Sequence, residues 1–544
     1  MIPVSPAPMT LRRFAPLALL ALAAGCAPAP MAGPAPVAGP LTRPERSGYT
    51  QTSSYADVIG FLDSLRMRGA GIHVDTLGTS TEGRVIPYVV ASRPLVRSAG
   101  EARRLGRPVV YLQGNIHAGE VEGKEALQAL LRDLVMSPAP NVLDSLVLVV
   151  VPIYNADGNE AMGPQERQRS EQNGPALVGQ RPNAQGLDLN RDYIKAEAPE
   201  TRGALALFRE WAPELIVDLH TTNGSYHGYA LTYSPSLNPA SGAAGAYTRD
   251  RLLPELRRRV RERRSYETFD YGNFSLRYGA DVNTDSTREG WFSYDHRPRF
   301  GTNYYGLRGG LSVLGEAFSH DPFERRIKST YAFVSELLSL VAERSGEVMA
   351  YTGSAPAGAA VPVRSELTRT PYVGEVLAEI LESDPDSVPD EPGVHRGIRR
   401  TGRVRALRMP VYDRFDPTLQ RTPPAAYLLD ASQTEAVALL RRHGIQVETL
   451  SAGRRVRGQA FVVDSVARAP RPFQGHNEVS VRGRWQPVER TSPAGSFLVS
   501  TTQPLGTLAV YLLDPESDDG LTTWNFFDPW LRAGAEHPVI AVDR

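Results

Sequence analysis

An unbroken apolar run at Val109, Val110, Tyr111 and Leu112 predicts a buried strand, and Ala126, Leu127, Leu130, Leu131 and Leu134 recur just afterwards at helical spacing. Between strand and helix lies a Gly-rich bend, so His117 and Glu120 project from the carboxyl end of a strand, where ligands bind in open α/β sheets. The pattern continues along the chain. Residues 55–68 predict a helix and residues 74–92 alternate like a hairpin. Residues 146–151 form an apolar run without alternation, which suits an interior strand covered on both faces. The polar stretch 163–179 reads as a surface loop. Pro199–Trp211 predicts a helix, and residues 214–224 a strand that delivers His220 at its end. Leu252, Leu253, Leu256 and Val260 form one side of a helix whose other side carries the basic run 257–264, read as a solvated face. Leu311, Val313 and Leu314 predict a short strand ending near Glu316, and Phe323–Glu343 is amphipathic through Ile327, Tyr331, Val334, Leu338 and Val341.

The layout therefore predicts an α/β catalytic domain at 49–345, with a mixed, mostly parallel sheet flanked by helices. A small-residue linker is expected at 346–363. The accessory region 364–544 reads as short strands and loops up to 424, then strand, helix and strand around Thr434–His443 with Gly444 as its cap, then a β-rich remainder that includes 495–500, 507–513 and 537–542. His395, His443, His476 and His537 share no ligand spacing and are read as structural or exposed.

Composition adds limits. The 544 residues suggest about three domains, or one large one with an addition. Lys plus Arg and Asp plus Glu number 60 each, so a net charge of zero gives no support for nucleic acid as a partner. The single cysteine, Cys26, excludes an internal disulfide. It follows Arg12, Arg13 and an apolar segment 14–22, the layout of a secretory signal, and the ending 22–26 resembles a bacterial lipobox. Residues 1–26 are thus expected to be a signal peptide, with Cys26 lipidated and the Ala/Pro-rich stretch 27–48 a tether. The protein is expected to be exported, either as a membrane-anchored lipoprotein or in secreted or periplasmic form.

Two histidines and a carboxylate at strand ends are the ligand types of a catalytic zinc, which typically takes three protein ligands and keeps one open position. Glu316, at the end of a late strand, can serve as general base for metal-assisted hydrolysis; an edge glutamate paired with Arg308 is the alternative. The order of His117 and Glu120, the segment Arg181 to Arg191, His220 in Asp-Leu-His, and a late Glu316 resembles the zinc carboxypeptidase family typified by carboxypeptidase A (peptidase family M14). The resemblance implies one zinc per chain held by His117, Glu120 and His220, with Asp188 orienting the first histidine. It implies Arg181 as the oxyanion stabiliser, Asn190 and Arg191 as readers of the substrate's terminal carboxylate, and a tyrosine closing on substrate. Tyr294, Tyr304 and Tyr305 lie in the region for that tyrosine, and spacing favours Tyr294. The function implied is hydrolysis of the C-terminal peptide bond of peptides with a free C-terminus. The alternatives are a zinc amidase or deacylase acting on N-acyl amino acids or cell-wall peptides, and an inactive peptide-binding lipoprotein; a base at Glu316 argues against the last.

Cys26→Ser is expected to move the protein from the membrane fraction to the soluble one, since stable anchoring takes more than one acyl chain and depends on that thiol. Wild-type protein already soluble after fractionation would make the signal an ordinary secretory one.

Overall fold

The computed structural model describes residues 1, 3, 5, 39–274, 289–353, 358–383 and 398–543. Cys26, nearly all of the expected signal segment and residues 27–38 of the tether lie outside the described residues. Its centre is an eight-stranded sheet whose strands, in chain order, are β1 (Ile72–Thr79), β2 (Val85–Ala91), β3 (Val109–Gly114), β4 (Val147–Val151), β5 (Leu215–Thr221), β6 (Leu231–Pro235), β7 (Thr268–Asp270) and β8 (Leu311–Ala317). Their spatial order is β1-β2-β4-β3-β5-β8-β6-β7. The middle four, β4, β3, β5 and β8, run parallel, so their carboxyl ends share one edge.

Burial explains the apolar runs. Val110 and Leu112 of β3 pack with Leu127, Leu131 and Phe333 on one face, while Val109 and Tyr111 pack with Trp211, Phe208 and Tyr304 on the other. Both faces of the strand are covered by helices, so alternation is absent. The Glu122–Met136 helix starts so close to the sheet that a Cβ on Gly114 would lie 2.9 Å from the backbone carbonyl carbon of Gly123.

Several boundaries differ from the sequence expectation. The end of the tether is docked: Thr42 caps the Arg43–Arg46 helical turn, and Arg132 donates to Pro40 O (3.3 Å) and Glu45 (2.6 Å). The expected linker 346–363 carries regular structure at both ends: residues 346–351 belong to the Ser345–Tyr351 helix, and a strand begins at Val361. Ala38–Arg544 forms one compact unit. One apolar core joins Tyr111, Val149 and Trp211 to Val363, Tyr427, Leu440, Leu512 and Trp524, so the C-terminal third shares the interior of the sheet domain, beside a small cluster of its own at Leu428, Leu450, Val456 and Ile540. Residues 507–513, read as strand, lie in the Gly506–Leu513 helix. A short run buried all round has no period to tell strand from helix. Within 364–424 short strands are present, Val361–Leu367 pairing with Phe415–Arg421, but beside them stands a long antiparallel pair, Tyr372–Ser383 with Ile398–Tyr412, and strands Arg454–Arg468 and Val479–Ser492 form another.

Gly→Ala in a helix gains about 1 kcal/mol where the position is open. At Gly123 the added methyl would sit 2.8 Å from Leu219 Cβ and 3.2 Å from Leu219 O, with backbone on one side that cannot yield. Overpacking of this kind costs typically 1–3 kcal/mol. Gly123→Ala is expected to lower the unfolding free energy in urea by about 1–2 kcal/mol; a stabilised variant would show that the helix is free to move off the sheet.

Candidate metal centre and substrate cavity

Beyond β3 the chain turns through Asn115 at φ +68°, and Glu120 N donates to His117 O (3.0 Å), which puts both side chains on the same side of the bend. His220 arrives from β5, and Glu316 stands abreast of it on β8. The parallel register is what brings together residues a hundred positions apart.

The candidate ligand atoms of His117, Glu120 and His220 all lie within 4.8 Å of one another. His117 Nδ1 is 3.0 Å from Glu120 Oε1, and His220 Nδ1 is 2.8 Å from Glu120 Oε2. Each imidazole turns its other nitrogen to a carboxylate. His117 Nε2 donates to Asp188 Oδ1 (3.0 Å), and His220 Nε2 lies 3.0 Å from Asp218 Oδ2. Such carboxylate–histidine pairs fix the tautomer of a ligating imidazole. The two Nδ1 atoms converge on the Glu120 carboxylate, each within 3.0 Å of one of its oxygens, where a cation would take their lone pairs. Two imidazoles and a carboxylate, all buried, fit Zn²⁺. Burial opposes the charge on His220, yet Asp218 and Glu120 raise its pKa well above the ordinary value. Burial likewise works against Glu120, but His117 and Arg169 hold its pKa well below the usual carboxylate range.

Arg169 was not foreseen. It sits in the stretch 163–179 read as a surface loop, yet its guanidinium is buried, donating to Glu120 Oε1 (2.9 Å) and to the carbonyls of Thr221 and Thr222 (3.2 Å each). The loop lies so close that a Cβ on Gly119 would stand 2.8 Å from Gly179 O. Asp218 was also passed over. It lies two residues before His220, on the same face of β5, a spacing that does signal a carboxylate beside the imidazole.

Glu316 is buried and its Oε2 has no hydrogen-bond partner. Burial pushes its pKa up to about 8, helped by Glu120 and opposed by His220, Arg169 and Arg181. Arg308, the alternative partner, donates instead to Tyr304 and to His443 O. Arg181 Nε donates to Asp188 Oδ2 (2.9 Å), which leaves the guanidinium beside Glu120.

A cavity of about 260 Å³ is lined by His117, Glu120, His220, Glu316, Arg181, Asn190, Arg191 and Tyr294 together with Tyr271, Phe300, Thr302 and Leu314. Asn190 Oδ1 accepts from Gly301 N (2.8 Å), and the Arg191 guanidinium carbon lies 3.9 Å from the centre of the Phe300 ring. Tyr294 packs edge-on to Tyr271, with ring centroids 5.6 Å apart. Tyr304 is a correction. It is fully buried on the inner side of the Gly301–Leu307 helix, its ring tilted against that of Tyr193, and its hydroxyl donates to His443 Nδ1 (2.8 Å). Tyr305 donates to Pro213 O and is likewise outside the cavity. Of the three tyrosines only Tyr294 faces it.

Residues 58–294 match the family model for zinc carboxypeptidase, and Glu316 lies beyond that stretch. The chain is 24% identical to carboxypeptidase 2 of Trichophyton tonsurans over 497 residues, covering 85% of this chain and 81% of that protein. It is 23% identical to carboxypeptidase 2 of Trichophyton rubrum over 496 residues, with the same coverage. Among solved structures, the metallo-carboxypeptidase of Pseudomonas aeruginosa in complex with (2-guanidinoethylmercapto)succinic acid aligns at 19% identity and TM-score 0.37, over 55% of this chain and 70% of that one.

Tyr304→Phe is expected to keep turnover within about twofold, yet to cost about 1–3 kcal/mol of stability in chemical denaturation, because buried His443 Nδ1 loses its donor. A loss of turnover near a hundredfold with unchanged stability would return Tyr304 to the substrate site.

Proposed function

We propose, for a chain that belongs to the zinc carboxypeptidase family over residues 58–294, that this metallocarboxypeptidase releases single residues from the free carboxyl end of peptides. The observation that carries the reading is one cavity that holds both the metal trio with Glu316 and the Asn190–Arg191 pair. Its size, about 260 Å³, is below the ~300–1,000 Å³ of drug-sized ligand sites. That leaves room for a terminal residue rather than an extended segment.

His117, Glu120 and His220 would hold one zinc ion, which when bound polarises the scissile carbonyl and acidifies water. The chain's own groups do the rest. An exopeptidase must recognise a terminal carboxylate, since nothing else separates the last peptide bond from the others. Arg191, steadied over Phe300, offers two parallel charge-assisted hydrogen bonds to that carboxylate, and Asn190 adds a side-chain amide whose position is fixed by Gly301 N. Arg181 meets the negative charge that develops on the carbonyl oxygen as water adds to its carbon. Glu316 Oε2, unpartnered, takes a proton from the attacking water and passes it to the departing nitrogen as the C–N bond breaks. Its raised pKa, about 8, suits a group that must both accept and return a proton near neutrality. Tyr294, with Tyr271 and Phe300, forms the wall against which the terminal residue packs. We place the enzyme outside the cytoplasm, held by a lipidated Cys26, on the strength of the N-terminal pattern.

The test compares a free-acid peptide with its C-terminal amide, read by mass spectrometry. Wild type is expected to shorten the acid one residue at a time and to cut the amide poorly. Arg191→Ala is expected to raise KM for the acid strongly, by roughly the tenfold or more that one lost charge-assisted pair is worth, with a smaller change in kcat. Equal cleavage of acid and amide, or release of internal fragments, would pass the site to the amidase or endopeptidase reading.

A further inference from the structure

A side chain of the C-terminal third, Gln474, contacts the segment that carries Asp188. Between the strands Arg454–Arg468 and Val479–Ser492 the chain makes a tight turn in which Phe473 N donates to His476 O (2.8 Å) and His476 N donates back to Phe473 O (3.0 Å). At its tip Gln474 has φ +50°, a backbone conformation that L side chains rarely adopt. Strain of this kind persists only where the surroundings impose it. Here the turn is fastened at three points to the α/β body. Gln474 Oε1 accepts from the backbone N–H of Asp188 (2.8 Å), His476 Nε2 lies 2.8 Å from Glu197 Oε1, and the Arg299 guanidinium stacks 5.4 Å from the centre of the Phe473 ring.

Asp188 is the joint of the site. Its Oδ1 accepts from His117 Nε2 (3.0 Å) and from Asn190 N (3.0 Å), and its Oδ2 accepts from Arg181 Nε (2.9 Å). A rotation of this residue would swing a ligand-bearing imidazole and the arginine beside it together. Its side-chain oxygens are committed to those groups, so what fixes its backbone fixes them, and the donor N–H of Asp188 is given to Gln474.

We propose that Gln474 is a positioning residue of the catalytic centre: by holding the backbone of Asp188 it sets the orientation of His117 for the metal and of Arg181 for the carbonyl oxygen. The inference rests on the zinc carboxypeptidase reading above, and it makes the C-terminal third part of the active site rather than an appendage.

The experiment uses the full chain with Gln474→Leu, which removes the accepting oxygen at similar length, and Gln474→Glu, which keeps it. Zinc affinity is measured by competition with a chelating dye, beside kcat, KM and melting temperature. Partners behind a ligating histidine are typically worth about 10–100-fold in metal affinity or activity. Gln474→Leu is expected to bind zinc about tenfold more weakly and to lose kcat by a similar factor, with KM nearly unchanged and an unchanged melting temperature; Gln474→Glu is expected to restore both. Wild-type zinc affinity in Gln474→Leu overturns the proposal whatever its turnover. Equal losses in both variants accompanied by lower melting temperatures also overturn it, since they mark a structural role alone. If wild type released no terminal residue, the functional reading would fall while the zinc titration still measured the effect of Gln474 on the site.

Discussion

The structure is built around a buried carboxylate. Glu120 is 2% exposed, and an ionised carboxylate taken out of water costs several kcal/mol unless it is paired and hydrogen-bonded. Every oxygen of Glu120 is met. Oε1 faces His117 Nδ1 and accepts from Arg169 (2.9 Å) and Arg181 (3.4 Å), while Oε2 faces His220 Nδ1 and accepts from Thr221 N (3.2 Å). Those partners come from the bend after β3, the end of β5, the segment 163–179 and the segment 181–191. Satisfying one charge thus forces four remote pieces of chain to converge, and the parallel edge of β3, β5 and β8 is the frame on which they do so.

A second buried ion pair secures the approach. Arg326, fully buried, lies 3.4 Å from Glu122 Oε2 and donates to the carbonyls of Asn173, Gly174, Ser319 and Asp321. Glu122 in turn accepts from the Thr221 hydroxyl. The loop that carries Arg169 is therefore tied to the same strand end that carries His220. Buried pairs of this kind add little net stability compared with apolar packing, but removing one partner is severe because it strands the other charge. Such pairs serve here to fix one conformation of irregular backbone beside a reactive site.

The sequence made much of this legible, and the limits have physical causes. Strands β3, β4, β5 and β8 announce themselves because burial on both faces demands continuous apolar residues, and His117, Glu120 and His220 follow from where those strands end. Glu316 is placed by the same reasoning. Arg169 was hidden because a polar, glycine-bearing segment looks solvated; its burial depends on a single carboxylate that composition does not reveal. Tyr304 was placed at the site by proximity along the chain, yet the pitch of the Gly301–Leu307 helix turns it toward Tyr193 and His443. The 507–513 run was misread because an apolar stretch that is buried all round carries no periodicity. Gln474 had no local signal, since its role exists only through a contact nearly three hundred residues away.

The two ends of the cavity are built from different material, and this explains why the chain does not stop after the sheet is complete. At the metal end, His220 and Glu316 sit on regular strands whose register fixes them, while His117 and Glu120 stand on the short bend after β3. The end that would read a carboxylate sits on irregular backbone, residues 188–198 and 295–301, where no ladder of hydrogen bonds sets position. A productive site has to hold its groups within about 0.5 Å, so irregular segments need support from outside themselves. That support comes from the C-terminal third. Lys195 lies 4.4 Å from the centre of the Trp524 ring, His443 donates to Ile194 O (3.0 Å), and Arg299 makes a forked contact with Asp519 while pairing with Glu478. Each contact lands on the segment that carries Asn190 and Arg191 or on the one that carries Phe300. Truncation near residue 345 would remove the buttress of the opposite wall together with the Gln474 contact to Asp188, and the apolar core shared with the sheet would be cut open at the same time. Recognition of substrate and the setting of the metal site are thus both properties of the whole compact unit, for which the sheet supplies the frame.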